Sequence, residues 1–173
     1  SSYNYNPATA TENCVATAPA GGSLFIKVLG TGTITYTLSG TAWPPTPATT
    51  VTALPVYNPA AFTPIDVTTG APVWVAFNIT MGNQYSVYWD DSLSGSGNFN
   101  SDVAVSSYDT LGNLINCSSS NIGPGPFGSK TSNSIDSGYT VPAVFTATTT
   151  GMAYLRVNPY WSTGYIGLQV TSP

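Results

Sequence analysis

Histidine is absent from this chain, and charge is close to absent: three Lys or Arg and seven Asp or Glu occur among 173 residues, a formal net charge of −4. Without histidine the commonest general base and the commonest zinc ligand are missing, and a Ser-His-Asp triad is excluded. The cations are Lys27, Lys130 and Arg156. Scattered singly, they form no basic patch, so neither a nucleic acid nor an anionic membrane is an expected partner. The longest apolar runs are strand-length, and no transmembrane segment is expected. No stretch sustains a helical period. The charged fraction, 6%, is far below the usual figure of about 25%. Disorder is still not implied, because 12% of residues are aromatic and β-branched residues are plentiful.

What remains is Thr, Ser, Gly, Asn, Pro and Tyr, the composition of short strands joined by many turns. The N-terminus carries neither a charged leader segment nor the apolar core of one, so the chain reads as the mature form of an exported, extracellular or cell-surface protein. In that setting the two thiols, Cys14 and Cys117, are expected to form one disulfide; two buried free thiols are the alternative. The bridge would close a loop of roughly 100 residues and contribute about 4–5 kcal/mol on the chain-entropy account.

Taken in order, residues 1–22 form an extended arm or small-residue strand, and residues 23–173 a single domain. Ser23–Leu29 and Thr33–Leu38 read as a hairpin around Gly30-Thr31-Gly32. Residues 43–64 hold six prolines, a spacing that forbids central strands and helices. This segment is expected as a loop wrapping one sheet, with a short edge strand near Val51–Leu54 and with Trp43, Tyr57 and Phe62 stapling it down. Further strands are expected at Ile65–Thr68, Val73–Ile79, from Tyr85 to Trp89, from Asp102 onward, at Val141–Thr146, through Ala153 to Val157, and at Tyr165–Val170. Their alternation puts Val73, Val75, Phe77 and Ile79 on one face, Tyr85, Val87 and Trp89 on one face, and Ile166, Leu168 and Val170 on one face. The predicted fold is all-β: an antiparallel, jelly-roll-like β-sandwich.

From Ala71 to Val170 the order of signals is similar to that of the bacterial pre-peptidase C-terminal domain family. The residues that carry it are Asn83-Gln84-Tyr85-Ser86-Val87 leading to Asp90-Asp91, then Asp102-Val103-Ala104-Val105, Tyr108-Asp109 with Gly112-Asn113-Leu114, and Thr150-Gly151-Met152-Ala153-Tyr154-Leu155-Arg156-Val157. The resemblance implies a jelly-roll-like, non-catalytic sandwich of the kind attached to secreted hydrolases, in some cases binding carbohydrate or calcium. The proline-rich segment and the Ser/Asn loop depart from the family pattern.

Asp90, Asp91 and Asp102, with Asn98 and Asn100 between them, form the one carboxylate cluster in the sequence. Calcium takes six to eight oxygens from such groups, and a polar loop can supply them. Turn capping by the same residues is the alternative. A catalytic carboxylate pair is disfavoured, because Asp90 and Asp91 are adjacent and face opposite sides of a strand. Asn78-Ile79-Thr80 and Asn116-Cys117-Ser118 are glycosylation sequons at Asn78 and Asn116. Trp43, Tyr88, Tyr160 and Trp161 are candidate contact aromatics, for a glycan or for another protein. Two functions follow. One is a non-enzymatic subunit of an extracellular filament or surface layer that self-associates into a polymer, its arm adding a strand to a neighbour's sheet. The other is a carbohydrate-binding accessory module of a secreted hydrolase. If the five-residue cluster holds calcium, chelation lowers the melting temperature of the full chain, because a ligand bound only to the folded form stabilises it; a melting curve indifferent to chelator excludes the site.

Overall fold

Alternation at a period of two sorts the side chains of a strand onto two faces. The longer strands among the described residues use it here. The computed structural model describes residues 25, 42–90, 99, 101, 103–117, 125–126, 142–159 and 164–172. Its strands are β1 (Thr49–Thr50), β2 (Thr63–Asp66), β3 (Val73–Ile79), β4 (Gln84–Asp90), β5 (Val103–Tyr108), β6 (Asn116–Cys117), β7 (Gly125–Pro126), β8 (Ala143–Thr146), β9 (Gly151–Pro159) and β10 (Tyr165–Thr171). Two four-stranded sheets result, in the orders β1-β3-β9-β5 and β2-β10-β4-β8, and β6 pairs with β7 alone. All pairings are antiparallel except that of β1 with β3. The protein is an all-β sandwich.

One apolar interior lies between the sheets. Val75, Phe77 and Ile79 of β3, Leu155 and Val157 of β9 and Val103 and Val105 of β5 face Tyr85, Val87 and Trp89 of β4 and Ile166, Leu168 and Val170 of β10. Register keeps these residues level: Val75 stands opposite Leu155 in one sheet, and Trp89 opposite Leu168 in the other. Phe77 reaches across the gap to Tyr85 and Phe145, with ring centroids 6.0 and 6.3 Å apart, and those two rings stack on each other at 5.6 Å. The inward faces expected for β3, β4 and β10 are the ones observed.

Several boundaries differ from the sequence expectation. β2 ends at Asp66, where the Asp66 carboxylate accepts the backbone N–H of Thr68 at 2.9 Å and its hydroxyl at 2.6 Å and turns the chain away. β8 starts at Ala143, directly after Pro142, which has no N–H to give a ladder. β5 is described from Val103, and Asp102, expected to open it, lies outside the described residues. Phe25, expected within a strand, is in none and is 91% exposed. The rest of the Ser23–Leu38 hairpin, like the arm, lies outside the described residues.

The proline-rich segment is a strap across both sheets. Ala48 and Val51 donate their N–H groups to Trp74 and Ala76 of β3, each at 2.8 Å, so the edge strand sits at Thr49–Thr50 and not at Val51–Leu54. Leu54 then bonds the other sheet: it donates to Val170 at 2.9 Å and accepts from Ser172 at 2.8 Å. Beyond it the chain arches over the outer face of β10 and β4. There the Gln169 amide grips the backbone of Asn58, accepting its N–H at 3.1 Å and donating to its carbonyl at 2.9 Å. Tyr57 lies against Tyr88, with centroids 4.6 Å apart.

Gly167 marks how closely this face is covered. A Cβ there would strike the ring edge of Phe99, lie 2.6 Å from Phe99 Cζ and lie 3.0 Å from Phe62 Cδ1. Gly167→Ala is expected to cost about 1–3 kcal/mol by overpacking, read as a lower urea midpoint at unchanged slope.

Candidate functional site

The residues singled out from the sequence fall in three places. Asp90 lies at the end of β4, opposite Gly167, and is fully buried. Its side chain points away from the interior, but that outer face is the one capped by Phe99 and Phe62. Asp91, Asn98, Asn100 and Asp102 lie outside the described residues, as do Cys14, Tyr160 and Trp161. Asn116 and Cys117 are described as backbone of β6 only. Asn78 is exposed on the outer face of β3, opposite Met152.

The two described aromatics of the contact set are engaged within the chain. Trp43 stands on the outer face of the first sheet. It meets Tyr154 and Trp74 edge-on, at centroid distances of 5.0 and 6.0 Å, and Tyr108 at 5.9 Å, and its indole N–H donates to the Thr110 carbonyl at 3.0 Å. Gly112 lies beneath it with φ +85°, and a Cβ there would sit 3.1 Å from Trp43 Cδ2. Trp43 therefore clasps the strap to the sheet. Tyr88 is the floor on which Tyr57 rests.

A different surface stands out at the end of the sandwich that gathers the turns after β3, β5 and β8. The β3–β4 turn is tied to the β8–β9 turn by Gly82 N–H to the Ala147 carbonyl and Met81 N–H to the Thr150 hydroxyl, each at 2.9 Å. The turn after β5 is built by Asp109. Its carboxylate accepts the N–H groups of Leu111 and Asn113 at 2.9 and 2.8 Å and the Asn113 side-chain amide at 3.0 Å. That turn doubles the chain back so that Ile115 donates to the Ser107 carbonyl at 2.8 Å. Between it and β8 opens a cleft of about 390 Å³ with buried Ile79, Phe145 and Ala147 at its base and Leu114 and Ile115 on its wall.

Apolar side chains crowd this end. Among the described residues six large hydrophobic side chains are exposed, and three of them, Met81, Leu111 and Leu114, lie on these turns. Among the described residues the cleft has one carboxylate, Asp109, which is buried and spent on its own turn. Asp66, whose carboxylate is held below its usual range by the Thr68 hydroxyl and N–H, lies at the opposite end.

Neither protein-family models, nor curated proteins, nor solved structures include a match to this chain.

The turn end was not picked out from the sequence. Tyr108-Asp109-Thr110-Leu111-Gly112-Asn113 does announce a turn, but Leu111 and Leu114 look there like ordinary core residues. Only the fold shows that they share an end with Met81, some 30 positions earlier. For the clasp, Trp43→Ala is expected to lower stability by about 2–3 kcal/mol, through lost ring contacts and an indole hydrogen bond, seen as a fall in the denaturant midpoint.

Proposed function

We propose that this chain is a non-enzymatic structural subunit of an extracellular filament or surface assembly, joined through β-strand addition by residues 1–22. The observation that carries the reading is the apolar turn end, where Met81, Leu111 and Leu114 are exposed. Exposed apolar groups gathered on one surface mark a contact with another protein. Net charge is what ordinarily keeps copies of a protein apart, and this chain has little charge of either sign.

Strand addition supplies the joint. An extended arm that pairs with a neighbour's sheet contributes a row of main-chain hydrogen bonds, and alternate side chains set its register. The arm's Ala, Thr and Ser residues, from Ala8 to Ala18, suit a strand that must pack closely without a core of its own. A contact that runs head to tail without closing makes a fibre. Removing residues 1–22 from the purified protein is expected to abolish assembly, leaving monodisperse particles by negative-stain microscopy where the full chain gives fibres or sheets. A truncated chain that still polymerises removes strand addition from the mechanism.

A further inference from the structure

The tripeptides Asn78-Ile79-Thr80 and Asn116-Cys117-Ser118 both have the form that accepts N-linked carbohydrate. The fold treats them differently. Asn116 is held in β6, opposite Pro126 of β7, and Ser118 lies outside the described residues. Asn78 is the last residue but one of β3, and its side chain is exposed on the outer face of the first sheet. Thr80, which completes the tripeptide, is exposed as well, directly before the Met81-Gly82 turn. Ile79 between them is 3% exposed and belongs to the shared interior. Alternation therefore turns the amide and the hydroxyl of the tripeptide outward together, with Ile79 as their anchor.

There is also room at this position. Ala48 and Val51 of the strap donate to the carbonyls of Trp74 and Ala76, but Leu54 donates to Val170 of the other sheet. Among the described residues the strap makes no bond to β3 beside Asn78. The Trp43 clasp covers the same outer face at Trp74 and Tyr154, and Asn78 lies four residues beyond Trp74 along β3. Across the ladder from Asn78 stands Met152, half-buried. A bulky, hydrated group attached to Asn78 displaces none of these contacts.

We propose that Asn78 is an attachment site for an N-linked oligosaccharide. The step joins the carboxamide nitrogen of Asn78 to the anomeric carbon of a sugar carried on a polyprenyl diphosphate. The new N–C bond forms as the bond from that carbon to the diphosphate oxygen breaks; the diphosphate leaves with the electron pair, and the nitrogen gives up one proton. The proposal rests on the extracellular part of the reading above and not on strand addition. In a chain with 6% charged residues, the oligosaccharide supplies hydration that ionic side chains give elsewhere. Beside the stretch of β3 that the strap leaves, it also opposes edge pairing by another chain.

Peptide mapping by mass spectrometry, on the full-length protein purified from its own cells, tests the assignment. The peptide containing Asn78 is expected to carry sugar mass increments. Asn78→Gln and Thr80→Val, made in the same cells, are expected to lose them. Thr80→Ser, which keeps the hydroxyl, is expected to retain them. The masses are read on digested chain, so altered folding cannot imitate the pattern. An unmodified Asn78 in the native protein overturns the proposal, as do increments on this peptide that survive Asn78→Gln. Fibres built from protein unmodified at Asn78 leave the subunit reading standing while this one falls; a protein glycosylated at Asn78 that never assembles does the reverse.

Discussion

The two sheets hold together because alternate residues of nearly every long strand go into one shared interior. Phe77, set between Tyr85 and Phe145, and Trp89, level with Leu168, fill the space between them. Everything else is a consequence of that burial. Strands that commit one face to the interior leave the other face to be solvated or covered, and with so little charge in this chain solvation by ionic groups is not the solution used. Covering is. Trp43 closes over Trp74, Tyr108 and Tyr154 on one outer face, and Tyr57, Phe62 and Phe99 close over Tyr88 and Gly167 on the other.

The strap shows how a proline-rich segment can be structural without being a strand. Prolines remove donors, so pairing is confined to the few residues between them. Ala48 and Val51 bond one sheet, Leu54 bonds the second, and Asn58 is held by a side-chain amide in place of a ladder. A single stretch of backbone thus spans both layers along one side of the sandwich. It also supplies β1 and leads into β2, two short edge strands of which β2 contains Pro64, a pattern that limits uncontrolled edge pairing.

With both outer faces partly covered by aromatic side chains, the apolar groups left exposed mean more. Single exposed hydrophobic residues are ordinary, but three at one end, Met81, Leu111 and Leu114, are not. That end is also where Asp109 fixes a turn that seats the Trp43 clasp, presents Leu111 and Leu114 and walls a cleft. Such a surface has the physical character of a contact site: apolar, shaped, and free of the charge that would oppose a second copy. The proposed assembly is a statement of that one property.

Periodicity in the sequence was sufficient for the all-β class, for the inward faces of Val73–Ile79, Tyr85–Trp89 and Tyr165–Val170, and for the turn at Asp109, because each depends on neighbours within a few residues. The strap's role as a staple was also legible, since prolines and aromatics act locally. Tertiary structure alone decided the rest. It set the sheet orders, moved the edge strand to Thr49–Thr50, buried Asp90 beneath an outer covering, turned Trp43 into a clasp, and brought Met81, Leu111 and Leu114 to one end. Those outcomes depend on which distant segments share space, and a period of two states which face a residue is on but not what lies against that face.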